Sequence, residues 1–212
     1  MKIAICFSGQ LRTFEKCWPS YSQLLEKYDC NLFAATPPND VLKNYPFKDV
    51  FIQSDQIMPD PWYNLNHHPK SPGQPMLSQF LFIELANKTR LKYQEEHNIQ
   101  YDFVFRTRFD NMIIGELPDL SNCDPNQIYI PSGNDNPECH PDLGISDRFA
   151  FGGSHPLNIY SKKISEIDEF MSNLDNWYFA EIILKWVLTK NNIQINRFPN
   201  IIKVLRLNGN MV

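Results

Sequence analysis

The fold of this chain is decided by one stretch, Tyr101-Asp102-Phe103-Val104-Phe105-Arg106-Thr107-Arg108-Phe109-Asp110. A short apolar run here ends abruptly in two arginines and an aspartate. Apolar runs of this length, bounded by polar residues, are typical of strands buried on both faces in parallel sheets. Because open parallel sheets bind ligands beyond the carboxyl ends of their strands, we expect Arg106, Arg108 and Asp110 at the ligand edge.

The chemistry of these three side chains suits a phosphorylated ligand. Guanidinium groups donate well to phosphate oxygens, and a carboxylate is a ligand that hard divalent cations prefer. A nucleoside diphosphate carried with a metal ion would use both. The alternative is structural, since an Arg-x-Arg-x-Asp sequence can also form a single ion pair at a strand end.

Composition narrows the class of protein. The chain has 212 residues, which predicts a single domain over residues 1–212, or one domain of a longer protein. A net charge of −4 gives no basic surplus, so nucleic-acid binding is disfavoured. Five cysteines without a CxxC motif predict free thiols in a reducing compartment. No apolar run has the length of a signal peptide or membrane span, so we expect a cytoplasmic location.

The order of predicted elements indicates an α/β fold. Strands are predicted at residues 2–7, 31–35, 49–53, 101–110, 128–131, 148–151, 193–196 and 201–205. Helices are predicted at residues 19–28, 76–97, 154–171 and 179–187, with a short one near residue 41. Strands and helices alternate first and become mixed later. This pattern predicts a mostly parallel central sheet of the Rossmann-like kind, flanked by helices on both faces, with a mixed C-terminal half.

Two polar loops carry residues that invite a metal interpretation. Residues 54–75 contain five prolines, and a loop of that length in a compact domain is usually a lid or another functional segment. The neighbouring His67 and His68 point apart in a strand and share no helix face, so they are poor joint ligands. Cys139-His140 has no second Cys/His pair at a spacing typical of zinc sites.

The turn after the first strand is the other expected point of ligand approach. Ser8-Gly9-Gln10-Leu11-Arg12 is rich in small and polar residues, and a glycine allows the backbone to come close to a ligand. It matches neither the GxGxxG nor the Walker pattern. Gln79, on the long helix, either faces the same ligand edge or is solvated.

Three segments, taken in order, resemble small GT-A-like glycosyltransferases of large DNA viruses (chlorella-virus-like) and of bacterial surface-polysaccharide clusters. They are residues 5–12, 101–110 and 146–152. The resemblance implies a GT-A-like fold, a nucleotide-sugar donor with UDP favoured, a glycan or other hydroxyl acceptor, and Mn²⁺ or Mg²⁺ at an Asp-x-Asp motif. For a viral protein the location would be the host cytoplasm.

The resemblance also assigns roles to residues, and one departs from the family pattern. Ser8, Gly9 and Arg12 would line the nucleotide pocket, and Thr36 would lie near the base or ribose. Arg108 stands where the first aspartate of the motif would be. Asp110 therefore remains as the expected metal ligand, and Arg108 could itself neutralise the diphosphate, with Arg106 helping to clamp it.

Further candidates complete the expected site. His155 would add a metal ligand or touch phosphate, or else would be an ordinary first-turn helix residue. An inverting enzyme needs a general base for the acceptor hydroxyl, and Asp147 is the first candidate and Glu181 the second. Two other functions fit the same residues: a sugar nucleotidyltransferase, and a non-catalytic module that binds nucleotide sugars or glycans.

Overall fold

The computed structural model describes residues 1–53, 73–135, 144–173 and 179–212. The strands in these ranges are β1 (Lys2–Ser8), β2 (Asp29–Thr36), β3 (Phe47–Ile52), β4 (Phe103–Arg108), β5 (Asn111–Ile113), β6 (Ile128–Pro131), β7 (Ala150–Gly152), β8 (Ile195–Phe198) and β9 (Ile202–Val204). The α-helices are α1 (Phe14–Cys17), α2 (Ser22–Lys27), α3 (Gly73–Glu96), α4 (Ser154–Ser161), α5 (Ile167–Asn173) and α6 (Ala180–Lys190).

The main sheet of the described residues has seven strands in the order β3-β2-β1-β4-β7-β6-β8. Strands β3, β2, β1 and β4 are parallel, β7 runs against both of its neighbours, and β6 and β8 are parallel to each other. Only β7 is therefore reversed among the described strands of this sheet. The predicted α/β class, the mostly parallel sheet and the mixed C-terminal half are confirmed.

Helices cover both faces of the sheet. The long helix α3 packs on β1, β2 and β3, and α4 packs on β4 and β7. On this face the apolar core joins the sheet to α3, α4, α5 and α6. The opposite face carries α1 and α2 over an aromatic core. Its buried rings include Phe7, Phe14, Tyr21, Phe105 and Phe109. In the described residues, no helix has the length and apolar character needed to cross a bilayer.

The long helix α3 begins earlier than the sequence predicted. Helix α3 begins at Gly73, so the last residues of the predicted loop are helical. Pro75 is tolerated there because the first turn of a helix has no intrahelical partner for its N–H groups. Residues 54–72, with His67 and His68, lie outside the described residues, as do Cys139 and His140.

The helix predicted at 154–171 is in fact two helices. Helix α4 ends at Ser161 and α5 begins at Ile167, and the turn between them points Lys163 into the protein. Ser154 is not the N-cap, because Gly153 holds that position. The hydroxyl of Ser154 instead accepts a hydrogen bond from buried Arg90 at 2.9 Å. A long-range polar contact therefore replaces the local one that the sequence suggested.

A small second sheet, formed by β5 and β9, braces the edge where ligands are expected. Strand β5 follows β4 after two residues, and the sequence did not predict it. Just beyond β9, the N–H of Leu205 donates to the carbonyl of Asp110 at 2.8 Å. The carbonyl of Leu205 accepts from the hydroxyl of Thr13 at 2.7 Å. The turns after β1 and β4 are thus tied to one common segment.

Candidate functional site

A cavity of about 500 Å³ lies between the carboxyl ends of β1 and β4 and the first half of α3. Its wall is formed by Ser8, Gly9, Gln10, Arg12, Pro75, Ser78, Gln79, Phe82, Arg108 and Asp110. The strand order reverses between β1 and β4, and such a switch point is where open α/β sheets bind ligands. The structure therefore brings six of the predicted site residues around one cavity.

The turn after β1 opens its backbone to this cavity. Gly9 has a φ of +106°, which favours glycine, and its N–H donates to the carbonyl of Ala35 at 3.1 Å. A Cβ atom at Gly9 would meet no atom of the described residues within 4 Å. Glycine is thus required here by the backbone angle, and the space in front of it is open to a ligand. Arg12 also has a positive φ, of 36°.

The two arginines of the cavity wall share one carboxylate. Arg108 donates to Asp110 through two parallel hydrogen bonds, Nε to Oδ1 at 2.7 Å and Nη2 to Oδ2 at 2.9 Å. The Nη1 atom of Arg12 lies 3.9 Å from Oδ2 of the same carboxylate. Burial by itself raises the pKa of Asp110, but Arg108 and Arg12 outweigh it and lower that pKa. Asp110 is therefore an ionised, buried anchor for two guanidinium groups.

This arrangement does not fit the expected divalent metal ion. Two guanidinium groups already lie at the carboxylate of Asp110, so they neutralise its charge and would repel a divalent cation there. The described residues also hold no group of three or more His, Cys, Asp or Glu side chains that could bind a metal ion. The Arg108–Asp110 pair is the ion pair that the structural alternative predicted, and neutralisation of a diphosphate by Arg108 stays a prediction.

Arg106 lies deeper in the protein on the same face of β4 as Arg108. Its side chain is only 2% exposed, and Nη1 donates to the backbone carbonyl of Asp147. Its guanidinium carbon is 5.9 Å from the ring centre of Tyr160. Within the described residues, its Nε and Nη2 atoms and the hydroxyl of Ser8 have no hydrogen-bond partner. Unsatisfied buried donors are costly, so an oxygen atom that reached them would be bound favourably.

Asp147 is held in a buried polar network. Its Oδ2 atom accepts from Nζ of Lys163 at 3.2 Å and from Nε2 of Gln79 at 2.5 Å. Its backbone carbonyl also accepts from the hydroxyl of Tyr160 at 2.8 Å. Burial alone raises the pKa of Asp147, but the charges of Lys163, Arg106 and Arg108 outweigh it and lower that pKa. A lowered pKa makes a carboxylate a weaker base, and the general-base role of Asp147 stays a prediction.

Lys163 is the member of this network that the sequence did not suggest. Its side chain is fully buried. The Nζ atom lies 4.5 Å from the ring centre of Phe80 and 5.0 Å from that of Tyr160. Burial lowers its pKa to about 8, although Asp147 acts in the opposite direction. Helical periodicity could not reveal it, because α4 has already ended and a turn directs the side chain inward.

Glu181 lies in the first turn of α6, near the same network. Its side chain is partly buried, and its backbone carbonyl accepts from the N–H of Ile145 at 3.1 Å. Burial and then the negative charge of Asp147 raise the pKa of Glu181. The two carboxyls predicted as bases are therefore neighbours whose pKa values are displaced in opposite directions. A raised pKa suits proton transfer near neutral pH better than a lowered one.

Five predicted site residues lie outside the cavity wall, and two of them, Thr36 and His155, belong neither to that wall nor to the network around Asp147. Thr36 ends β2, fully buried, and its hydroxyl has no partner among the described residues. His155 borders a different pocket, together with Met1, Tyr101 and Asp102. Those residues mark the amino ends of β1 and β4, and Asp110 lies past the carboxyl end of β4. His155 and Asp110 are thus at opposite edges of the sheet and cannot share one metal ion.

Comparison with known families gives one clear match. A family model described as "Domain of unknown function (DUF7796)" matches residues 1–206. The chain belongs to this family. That description names no activity, ligand or partner for the DUF7796 family.

Comparisons with individual proteins add no chemistry. The sequence matches no curated protein. Among solved structures, it is similar to the nucleoside-diphosphate-sugar pyrophosphorylase from Vibrio cholerae RC9. That alignment covers 95% of this chain and 94% of the other, with 11% identity and a TM-score of 0.45. A likeness of this size carries no argument about function.

Proposed function

We propose that this DUF7796 protein is a glycosyltransferase that takes a sugar from a nucleoside-diphosphate sugar, with UDP as the favoured nucleotide. The observation that carries the proposal is the pair of guanidinium groups, Arg12 and Arg108, at the switch-point cavity. The resemblance of residues 5–12, 101–110 and 146–152 to GT-A-like enzymes supports it. The mostly parallel sheet with a mixed C-terminal half supports it as well.

The charges near the cavity suit a diphosphate. Around the carboxyl groups of Asp110, Asp147 and Glu181 lie more positive groups than negative ones. The positive groups are Arg12, Arg106, Arg108, Arg148, Lys163 and Arg206. Transfer breaks the bond between the anomeric carbon and the bridging oxygen, and negative charge grows on that oxygen. Guanidinium groups fixed there stabilise the transition state more than the ground state.

The acceptor hydroxyl has to lose its proton during transfer. We assign that proton to Glu181, whose pKa is raised, and not to Asp147, whose pKa is lowered by Lys163 and the arginines. Arg12 and Arg108 would then hold the diphosphate at one end of the cavity. The sugar and the acceptor would lie toward Gln79 and the network behind it.

The test is a screen of nucleotide sugars for binding and turnover. Thermal shift detects binding, because a ligand that binds only the native state raises the melting temperature. Donors that bind are then incubated with mixed glycan acceptors. Release of a nucleoside diphosphate together with a glycosylated acceptor supports transfer. Binding without release would indicate a binding module, and pyrophosphate release from a nucleoside triphosphate and a sugar phosphate would indicate a nucleotidyltransferase.

A further inference from the structure

The interaction between Gln79 and Asp147 joins the cavity wall to the buried charges. Gln79 lines the cavity, and its Nε2 atom donates to Oδ2 of Asp147 at 2.5 Å. An ionised carboxylate can only accept hydrogen bonds, so the side-chain amide of Gln79 must turn its nitrogen toward Asp147. The orientation of this amide is therefore fixed by chemistry.

Asp147 is itself held firmly in place. Lys163, with no exposed side-chain surface, donates to the same Oδ2 atom at 3.2 Å. The backbone carbonyl of Asp147 accepts from Arg106 and from Tyr160. A residue fixed at both its carboxylate and its backbone is well suited to orient another side chain, as groups behind a binding site commonly do.

We propose that Gln79 is a specificity-determining residue that reads a sugar hydroxyl, and that Asp147 is the positioning residue that orients it. With one Nε2–H bonded to Asp147, the Oε1 atom is the acceptor that Gln79 can offer to a ligand. A carbonyl oxygen accepts from hydroxyl groups and repels phosphate oxygens. Gln79 therefore recognises the sugar and not the diphosphate. This inference rests on the proposed function and names the part of the donor that each wall of the cavity contacts.

The position of Gln79 in the cavity agrees with this division. Arg12 comes from the turn after β1 and Arg108 from the end of β4, whereas Gln79 comes from α3 on the other wall. Asp147, which accepts from Gln79, also lies near Glu181. Its negative charge raises the pKa of Glu181. The sugar has to lie near the group that accepts the acceptor's proton.

The first experiment compares the affinities of nucleoside diphosphates and nucleotide sugars by calorimetry. UDP, UDP-glucose, UDP-galactose and UDP-N-acetylglucosamine are the probes, with GDP and GDP-mannose as a second set. In Gln79→Met we expect the affinity for the preferred nucleotide sugar to fall roughly three- to tenfold, the range for one lost hydrogen bond. The affinity for the matching nucleoside diphosphate should change by less than about twofold.

The matched control is Gln94→Met in the same helix. Gln94 is also partly buried, and it accepts a hydrogen bond from the guanidinium of Arg90 at 2.8 Å. This variant disturbs an equivalent polar contact away from the cavity, so both affinities should remain those of the wild type. Equal losses for diphosphate and nucleotide sugar in Gln79→Met, or no loss for either, would overturn the assignment while leaving the proposed function intact.

A double-variant test separates a positioning role of Asp147 from a merely structural one. If Asp147 acts through Gln79, Asp147→Asn combined with Gln79→Met should lose no more sugar affinity than Gln79→Met alone. Additive losses would show that Asp147 does not act through Gln79. Asp147→Asn has a second readout in its side-chain amide spectrum, in which the Nε2 resonance of Gln79 should move while that of Gln94 stays in place.

The spectrum also decides the case in which the wild type binds none of the probes. Failure of every nucleoside diphosphate to bind would remove the proposed function and, with it, the sugar-reading role. An unmoved Gln79 resonance in Asp147→Asn would remove the positioning role by itself, whatever the ligand. The two failures are therefore distinguishable.

Discussion

Strand β4 has two faces of opposite chemistry. On one face, Phe105 packs against Phe149 and Phe151, with ring centres 6.0 and 5.1 Å apart. On the other face, Arg106 and Arg108 are held by a buried aspartate, a carbonyl and a tyrosine ring. A single strand therefore separates apolar packing on one face of the sheet from buried charges on the other. The aromatic face stabilises the fold, and that stability keeps otherwise costly charges in place on the opposite face.

The aromatic face is tested by Phe105→Ala. Removing a fully buried phenylalanine should lower the free energy of unfolding by about 3–5 kcal/mol, measured by urea denaturation. The affinity of the folded fraction for a nucleoside diphosphate should be unchanged. Phe51→Ala is the control, because Phe51 is 40% exposed and its replacement should cost only about 0.5 kcal/mol. A specific loss of affinity in folded Phe105→Ala would show that the two faces are not separable.

The proposed general base, Glu181 in α6, is tested by replacing it with glutamine. Glu181→Gln should reduce the rate of transfer by about 10²–10⁴ with donor affinity nearly unchanged, because the amide keeps the shape and loses the basicity. Since the base acts when ionised, kcat/KM of the wild type should rise with pH through the raised pKa of Glu181. That rise should be absent from the variant. Glu26→Gln, at an exposed position, should leave the profile unchanged. Normal turnover in folded Glu181→Gln would remove the base from the mechanism.

The arginine clamp is tested by Arg108→Ala. A charge-assisted hydrogen bond contributes about 1.5–3 kcal/mol, so diphosphate affinity should fall roughly ten- to a hundredfold, while nucleoside affinity changes little. Arg197→Ala is matched to it, since Arg197 also pairs with an aspartate, Asp135, at 2.6 Å and lies outside the cavity wall of the described residues. Calorimetry measures both. If Arg108→Ala only lowers the melting temperature, the pair with Asp110 is structural.

The smallest expected effect concerns the metal. Because Arg108 and Arg12 already neutralise the charge of Asp110, nucleoside diphosphate affinity should differ by less than about twofold between a chelator and added Mn²⁺ or Mg²⁺. Calorimetry in both buffers measures this difference. A loss of affinity above tenfold with the chelator would show that a divalent cation takes part in diphosphate binding. Arg12 and Arg108 would then bind the diphosphate together with that cation.

Much of the fold follows from local sequence patterns. The apolar run before Arg106 and the small residues after β1 indicated buried parallel strands and the edge at which their ligands bind. Such patterns are reliable because burial on both faces and a strand's polar end are local properties. They fail where contacts with distant segments decide the local structure. One example is the turn that interrupts the predicted helix 154–171 and directs Lys163 inward, toward Asp147.

The sequence by itself determined the α/β class, the ligand edge at the carboxyl ends of the strands and the collection there of Ser8, Gly9, Arg12, Arg108 and Asp110. Only the tertiary structure decided how these charges are paired. It placed His155 at the opposite edge of the sheet, and it joined Asp147 to Lys163 and Gln79. The physical reason is that strand direction fixes which residues reach an edge, whereas burial and partners from distant elements fix the pKa and orientation of each side chain.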